Sequence, residues 1–309
     1  MATGQRHRTR VFVLAQDPTE VGNLVFKLNL KHLFSSSRSQ PEEEEPQAQP
    51  EAVACFKQVD NFERMTFAAS ASGDVVVAAN YAGSGRNLIY DAAAGGVSPG
   101  PEMRSVKNYL FLVPQQQQQL LPGGGGGGRW AWSAVPDPPG LPRGQREDLR
   151  AYFVAAARVW ISLRLQATYS FDTARQRWRK EGAWMLPVLG RGVLVPDFQG
   201  SGRRLLFGIR STRDHQFCAV DMDARLPMVL RSWPEALPIV GWAAGYKTCS
   251  FLPQVTYFGG GRFCVSVTNQ TSEENRRSVV SFKAVELTAE LQLIQRRSSC
   301  YLMPQSSRG

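Results

Sequence analysis

The sequence predicts an all-β protein made of repeated sheets, on three observations. A short apolar, strand-like run ends in an acidic residue at four places, and the acids are Asp91, Asp172, Asp221 and Glu286. The strand-like units recur about every 50 residues, a spacing typical of kelch repeats. The chain also holds 19 prolines and 28 glycines, which suit tight turns between short strands. Together these features predict a kelch-like β-propeller with about six four-stranded blades.

The individual strands follow from apolar runs that are bounded by turn residues. Residues 72–74 and the glycines at 259–261 each separate two such runs, and glycine permits a tight turn or a close backbone contact. We also expect the N-terminal strands to share a closing blade with residues 298–303. The predicted strands comprise residues 10–14, 24–28, 65–69, 74–79, 87–91, 97, 109–113, 130–135, 151–157, 159–163, 168–172, 204–209, 217–222, 255–258, 262–267, 279–287 and 291–295.

One propeller domain is predicted to span residues 1–309, because the blades of a propeller stack only on their neighbours. Residues 35–52 are rich in Ser, Gln, Pro and Glu, which predicts a disordered acidic insertion. Residues 114–129 contain poly-Gln and poly-Gly runs and predict a flexible loop, and residues 304–309 predict a disordered tail. The poly-Gly run does not predict a phosphate-binding loop, because a strand and not a helix follows it.

Composition and charge limit the classes of function. A hydrophobic content of 43%, with 10% aromatic residues, is enough to bury a core. No apolar run approaches the roughly 20 residues that cross a bilayer, so we expect a cytoplasmic or nuclear protein with no membrane association. The net charge of +10 predicts a basic exterior, and it supports nucleic-acid binding only weakly because the basic clusters are scattered. These clusters lie at residues 175–180, 203–204, 276–277 and 296–297.

The cysteines are also typical of a cytoplasmic or nuclear protein. The five cysteines are odd in number, widely separated and without a C-x-x-C spacing. Their apolar surroundings predict buried, reduced thiols and no disulfides. The cysteines are Cys55, Cys218, Cys249, Cys264 and Cys300.

Four longer phrases resemble those of one known family. They cover residues 169–173 with Trp178, and residues 181–187, 217–221 and 257–264. The phrases are similar to those of a plant family of kelch-like proteins, numerous in grasses, that is defined as a domain of unknown function. The resemblance covers roughly residues 60–300 and implies a framework of packed blades. It implies no catalytic or ligand-binding residue.

The histidines offer few candidates for chemistry. His7, His32 and His215 have no companions at metal-ligand spacing, so no metal site is predicted. His215 is best placed to act as the base for a Ser or Cys nucleophile, but its polar segment favours an exposed hairpin tip.

The four repeated acids offer a second possibility, the paired carboxyl groups of a glycosidase, which stand about 5–10 Å apart. Their equivalent positions in successive repeats favour a structural role instead, in which each acid supports a hairpin turn. Trp178 follows Asp172 by six residues and is expected to bury its ring between adjacent blades. We therefore predict no catalytic, cofactor-binding or metal-binding residues.

These observations favour a non-enzymatic module that binds a protein partner through loops on one face of the propeller. The alternative is a hydrolase or sugar-active enzyme with a site at the mouth of the central channel. Two or more convergent acids with a histidine would favour the enzyme, and an apolar or arginine-rich rim would favour the binding module. The fold alone does not decide between them.

Overall fold

The computed structural model describes 22 β-strands and three short 3₁₀ turns. The chain divides into a smaller compact unit, residues 11–28, 50–146 and 306–309, and a larger one, residues 1–10, 29–49 and 147–305. Among the residues that the structure describes, no helix is both long and apolar enough to traverse a bilayer. The structure describes residues 10–16, 22–34, 50–57, 65–69, 75–80, 87–92, 94–100, 112–117, 129–134, 136, 138–139, 149–164, 167–238, 246–247, 253–271 and 278–303.

The first nine strands lie almost wholly in the smaller unit. They are β1 Arg10–Gln16, β2 Gly22–Asn29, β3 Ala52–Lys57, β4 Met65–Ala69, β5 Val75–Asn80, β6 Asn87–Asp91, β7 Gly96–Pro99, β8 Leu112–Gln117 and β9 Arg129–Ala134. Strands β1, β2 and β3 form one sheet, β4 to β7 form a four-stranded antiparallel meander, and β8 pairs with β9. Val25, Phe56, Val76 and Tyr90 pack together as the core of this unit.

The remaining strands form the larger unit. They are β10 Leu149–Ala155, β11 Arg158–Leu163, β12 Thr168–Asp172, β13 Arg177–Gly182, β14 Val188–Val195, β15 Leu205–Arg210, β16 Phe217–Asp221, β17 Met228–Trp233, β18 Tyr246–Lys247, β19 Gln254–Gly259, β20 Arg262–Thr271, β21 Ser278–Leu287 and β22 Leu293–Met303. The short strand β18 pairs with the far end of β20.

Three successive antiparallel meanders make up the larger unit: blade A (β10 to β13), blade B (β14 to β17) and blade C (β19 to β22). The first strands of blades A and B run parallel, with Ala151 opposite Gly190. Each blade is antiparallel internally, and its strands follow one another in chain order. The predicted fold class is confirmed: the chain is all-β and is built from four-stranded blades of the β-propeller type.

Aromatic side chains fill the space between blades B and C. Phe207 and Phe217 of blade B lie with ring centroids 4.5 and 5.3 Å from that of Phe263 in blade C. Trp233 packs on Phe217 at 5.3 Å, and all four side chains are buried. Each such ring pair contributes about 0.5–1.5 kcal/mol beyond the area that it buries.

Two further contacts tie the larger unit together. Phe153 stacks on Trp160 within blade A at 5.3 Å, and it belongs to the same buried cluster as Leu206 of blade B. Between blades B and C, the side-chain amide of Gln199 donates a hydrogen bond to the carbonyl of Leu287.

Gly261 explains why glycines stand at the turn between β19 and β20. Its φ is +73°, and a Cβ at this position would overlap the amide of Gln199 and the carbonyl of Leu287. The glycines therefore serve both the tight turn and the close backbone contact that the sequence predicts.

A 3₁₀ turn, Leu30–Phe34, packs against β21 and β22 of the larger unit. Leu30 and Leu33 are buried there, and the ring of Phe34 lies 5.6 Å from that of Phe258. The guanidinium of Arg262 lies 5.7 Å from the centre of the Phe34 ring, a cation–π geometry.

The expected closing blade is wrong for the described strands. Residues 298–303 belong to β22, which pairs with β21, whereas β2 pairs with β3. A hairpin between adjacent strands closes a shorter loop than a pairing between the two ends of the chain, so the local partner is favoured. That residues 1–309 form a single domain remains a prediction.

The strands also reach into two segments predicted to lack structure. Strand β8 extends through Gln117 and β9 begins at Arg129, so both ends of the predicted loop at 114–129 are strand. Ala52 begins β3. Residues 118–128, 35–49 and 304–309 lie outside the described residues.

Substituting Phe207 by alanine is expected to lower the free energy of unfolding by about 3–5 kcal/mol, because it leaves a cavity between blades B and C. Urea unfolding followed by circular dichroism measures this loss. Val154→Ala is the control, because that side chain is 63% exposed and its loss should change stability by less than about 0.5 kcal/mol. Equal midpoints for the two variants would contradict this account of the core.

Candidate functional site

Three of the repeated acids hold the turn that follows them. Asp172 Oδ1 accepts hydrogen bonds from the backbone N–H groups of Ala174 at 3.1 Å and Arg175 at 2.9 Å. Asp221 Oδ1 accepts one from the N–H of Asp223 at 2.8 Å. In the smaller unit, Asp91 Oδ1 accepts one from Ala94 at 3.2 Å. The predicted structural role is therefore confirmed for these three residues.

Glu286 departs from the predicted role. Its Oε2 accepts two hydrogen bonds from Arg296 on β22, from Nε at 3.0 Å and from Nη2 at 2.6 Å. Its turn is held instead by Thr288, whose Oγ1 accepts a bond from the N–H of Gln292 at 3.2 Å. The longer glutamate side chain reaches across the sheet, and an arginine on the facing strand binds it.

The acids of blades A and B have the wrong protonation behaviour for a glycosidase acid. Backbone and side-chain hydrogen bonds from Arg175 hold the pKa of Asp172 below its ordinary value. The hydrogen bond from the Arg203 side chain does the same for the pKa of Asp221. A general acid needs a raised pKa to stay protonated near neutral pH, so neither carboxyl is suited to that role.

Among the described residues, His215 has no acid that orients it as a catalytic histidine needs. It lies in the turn between β15 and β16 with φ +46°, and its backbone N–H donates to the carbonyl of Thr212 at 3.2 Å. The neighbouring Asp214 accepts a bond from the side chain of Gln216 at 2.9 Å. Within the described residues, Nδ1 of His215 is buried without a hydrogen-bond partner, so the side chain is less exposed than predicted.

The other histidines and thiols that the structure describes form no metal-binding cluster. His32 is exposed in the turn at Leu30–Phe34, His7 lies outside the described residues, and the described part of the chain holds no group of three metal-ligating side chains. Cys218 and Cys264 are buried in strands, and burial raises the pKa of both thiols, that of Cys218 to about 12. No disulfide joins the described cysteines, and Cys249 lies outside them.

Among the described residues, a dense run of exposed cations lies on the hairpin of β12 and β13, residues 168–182, here named the basic hairpin. Arg175 and Arg179 have side chains 67% and 69% exposed, and Arg177 and Lys180 are exposed as well. The two carboxylates of the hairpin, Asp172 and Glu181, are only 8% and 9% exposed. Positive charge therefore faces solvent while the negative charge lies beneath it.

A polar network fixes the buried carboxylates. The hydroxyl of Ser170 donates to Glu181 Oε1 at 2.5 Å and accepts from Arg158 Nη1 at 3.2 Å. Arg158 on β11 also lies 3.5 Å from Asp172 and 3.8 Å from Glu181, so it bridges the two acids. Within the described residues, Arg177 and Lys180 form no ion pair. The hairpin and Arg158 thus carry five cations against two acids.

Trp178 does not lie buried between blades as the sequence suggested. It is half-buried, and its ring lies 5.0 Å from that of Phe171, directly across the strand pair. The reason is position: β13 is the outermost strand of blade A, and in the described chain it pairs only with β12. The sequence could not show that this strand forms an edge.

Fold and surface together define a blade-repeat, all-β protein whose described residues carry a basic hairpin and no catalytic constellation. The chain belongs to the family described as "Protein of unknown function (DUF1668)", which matches residues 110–301. The match spans the three blades of the larger unit. None of the curated proteins is similar in sequence to the chain.

Several solved structures show a distant resemblance. The β-propeller domain of Cps50 (Swd1) from Myceliophteria thermophila is 10% identical, with 78% of this chain and 72% of that one covered and a TM-score of 0.27. The N-terminal domain of Nup159 is 9% identical, with 94% of this chain and 58% of that one covered and a TM-score of 0.27. Dihydro-heme d1 dehydrogenase NirN is 11% identical, with 96% of this chain and 74% of that one covered and a TM-score of 0.37. TM-scores this low say nothing about the function of the chain.

Asp172→Asn is expected to destabilise the protein at neutral pH and to make its stability less sensitive to acid. Because the folded pKa of Asp172 is lowered, its carboxylate stabilises the fold above the ordinary value of 3.8. That contribution is lost as the pH falls through the lower, folded pKa. Urea unfolding should therefore show a gap between wild type and D172N that shrinks below pH 3.8. Asp214→Asn, at an exposed acid of another turn, is the control, and a gap independent of pH would contradict the charge-based explanation.

Cys218 and Cys264 are expected to resist alkylation in the folded protein, because the thiolate is the reactive form and burial disfavours it. Treatment with iodoacetamide followed by peptide mass spectrometry should find both thiols unmodified without urea and modified in urea. Rapid modification of either residue in the folded protein would show a reactive thiol and would reopen the question of cysteine catalysis.

Proposed function

We propose that the chain is a non-enzymatic protein-interaction module, a kelch-like β-propeller scaffold that binds an acidic segment of a partner protein. The observation that carries the proposal is the basic hairpin, in which exposed cations lie over buried carboxylates. Binding residues are commonly placed on exposed segments that a rigid framework positions. Here the framework is the polar network of Arg158, Ser170, Asp172 and Glu181.

The electrostatics of the basic hairpin favour a partner with several acids in a row. An exposed ion pair contributes only about 0.2–1 kcal/mol, so one carboxylate would bind too weakly to matter. Of the four exposed cations at residues 175–180, Arg175 and Arg179 already pair with the carboxylates of the hairpin at 3.0 and 3.5 Å, and the other two form no ion pair within the described residues. The four together can supply several pairs to an acidic segment. Because these side chains project from a hairpin that is already ordered, less conformational freedom is lost on binding.

The alternative, a hydrolase or sugar-active enzyme at a channel mouth, gains no support from the described residues. The pKa values of Asp172 and Asp221, two of the four repeated acids, are lowered, and those of the Cys218 and Cys264 thiols are raised. In the part of the chain that the structure describes, no acid orients His215. The proposal includes three further points that rest on the sequence alone. The repeats are of the kelch type, the protein comes from a plant, and it lies in the cytoplasm or the nucleus.

A fluorescein-labelled peptide of eight residues with alternating glutamate and threonine is the test probe. We expect binding by wild type, measured by fluorescence anisotropy, and a loss of about tenfold or more in the double variant Arg177→Glu/Arg179→Glu. The matched control is Arg191→Glu/Arg231→Glu, which changes net charge equally at exposed cations of blade B. Affinity should also fall as salt is added, because the cations are exposed.

Two results would overturn the proposal. The first is equal affinity of the two double variants for the acidic peptide. The second is tighter binding of a single-stranded DNA of equal charge through the same arginines, which would identify a nucleic-acid surface instead. Binding of the matching lysine–threonine peptide by Arg177→Glu/Arg179→Glu, but not by wild type, would support it further.

A further inference from the structure

We propose that β13 is a docking edge on which an acidic segment of the partner lies as an added antiparallel β-strand, the direction in which β12 and β13 already pair. This inference rests on the proposed function and specifies how the acidic segment binds: through the backbone as well as through charge. Peptide recognition by strand addition uses main-chain hydrogen bonds for affinity and alternate side chains for specificity.

The position of β13 supplies the first requirement, an open edge. Its residues pair with β12 in a register that sets Arg177 opposite Asp172 and Arg179 opposite Ser170. In the described chain no strand pairs with its other side. In a strand of this kind, alternate residues direct their N–H and C=O groups away from the existing partner. Those groups form a row that an extended peptide can match.

The charges of β13 supply the second requirement, selection of one kind of strand. Neighbouring residues of a strand point to opposite faces, so Arg177 and Arg179 share one face and Lys180 lies on the other. A strand with acids at alternate positions would set a carboxylate opposite each arginine, a favourable cross-strand pair. A second copy of β13 would set cations against cations. The edge thus disfavours self-association and accepts an acidic strand.

Edge charges often serve only to block aggregation, and blade B offers a comparison within the same unit. Its outermost strand, β17, carries a single cation, Arg231, and ends in the buried Trp233. Strand β13 instead carries three cations in six residues and exposes them. A lone charge is enough to discourage a neighbouring strand, and the greater density on β13 points to recognition.

The rigidity of β13 supplies the third requirement. Phe171 packs on Trp178 from the adjacent strand, and the hydrogen bonds of Ser170 and Arg158 hold Glu181 in place. The backbone of the edge is therefore in strand geometry before a partner arrives, and only the incoming segment has to become ordered.

Two isomeric peptides separate strand pairing from simple charge attraction. Both have the glutamate–threonine sequence used above, and one is N-methylated at every odd residue and the other at every even residue. A paired strand donates N–H bonds to β13 from alternate residues only, so methylation should abolish binding in one isomer and spare the other. We expect affinities that differ by about tenfold or more, because several hydrogen bonds are lost at once.

Amide hydrogen exchange followed by NMR gives an independent measurement on the wild-type protein. Saturation with the unmethylated peptide should protect the backbone N–H groups of alternate residues of β13 and leave those of β17 unchanged. Strand addition would be overturned if the peptide failed to protect the N–H groups of β13, or if the two methylated isomers bound with equal affinity. If the unmethylated peptide still bound in a manner dependent on Arg177 and Arg179, the proposed function would stand. If that peptide failed to bind, both proposals would fall together.

Discussion

Aromatic packing between blades is the interaction on which the rest of the larger unit depends. A four-stranded sheet has two faces and cannot bury either without a neighbour. Phe207, Phe217 and Trp233 of blade B meet Phe263 of blade C, and these contacts fix how far apart the two sheets lie. The turns and the exposed edges take their positions from that spacing. A change in these rings would therefore reach residues that touch no aromatic side chain.

The ends of the blades are stabilised in a different way, by short-range polar contacts within each blade. Asp172 and Asp221 bind the N–H groups of their own turns, and each is paired with an arginine of the same blade. These contacts are local in sequence, unlike the packing between blades. The core thus determines the arrangement of the sheets, and the acids determine the shape of each hairpin. The two contributions are separable in physical terms.

The sequence predicted best what depends on neighbouring residues. The strands at 168–172 and 217–221 and the turn role of Asp172 and Asp221 follow from a local apolar run and an adjacent acid. The pairing of Glu286 with Arg296 depends on strand register, which no local pattern reveals. The expected burial of Trp178 between blades is wrong, because the burial of this ring depends on which strand lies outermost. The excess of exposed cations on the basic hairpin also could not be predicted, because it appears only once Asp172 and Glu181 are known to be buried.

The separation of the exposed cations from the inter-blade core has a consequence for evolution. Arg177, Arg179 and Lys180 project from one edge strand, and none of them belongs to the aromatic packing between blades. Arg177 and Lys180 form no ion pair within the described residues, so their identities can drift with little effect on folding, whereas Arg179 also pairs with Glu181 at 3.5 Å. A duplicated copy of such a protein would be free to acquire a new binding preference while its inherited scaffold stayed intact. The same independence makes this strand a natural place to graft a chosen specificity.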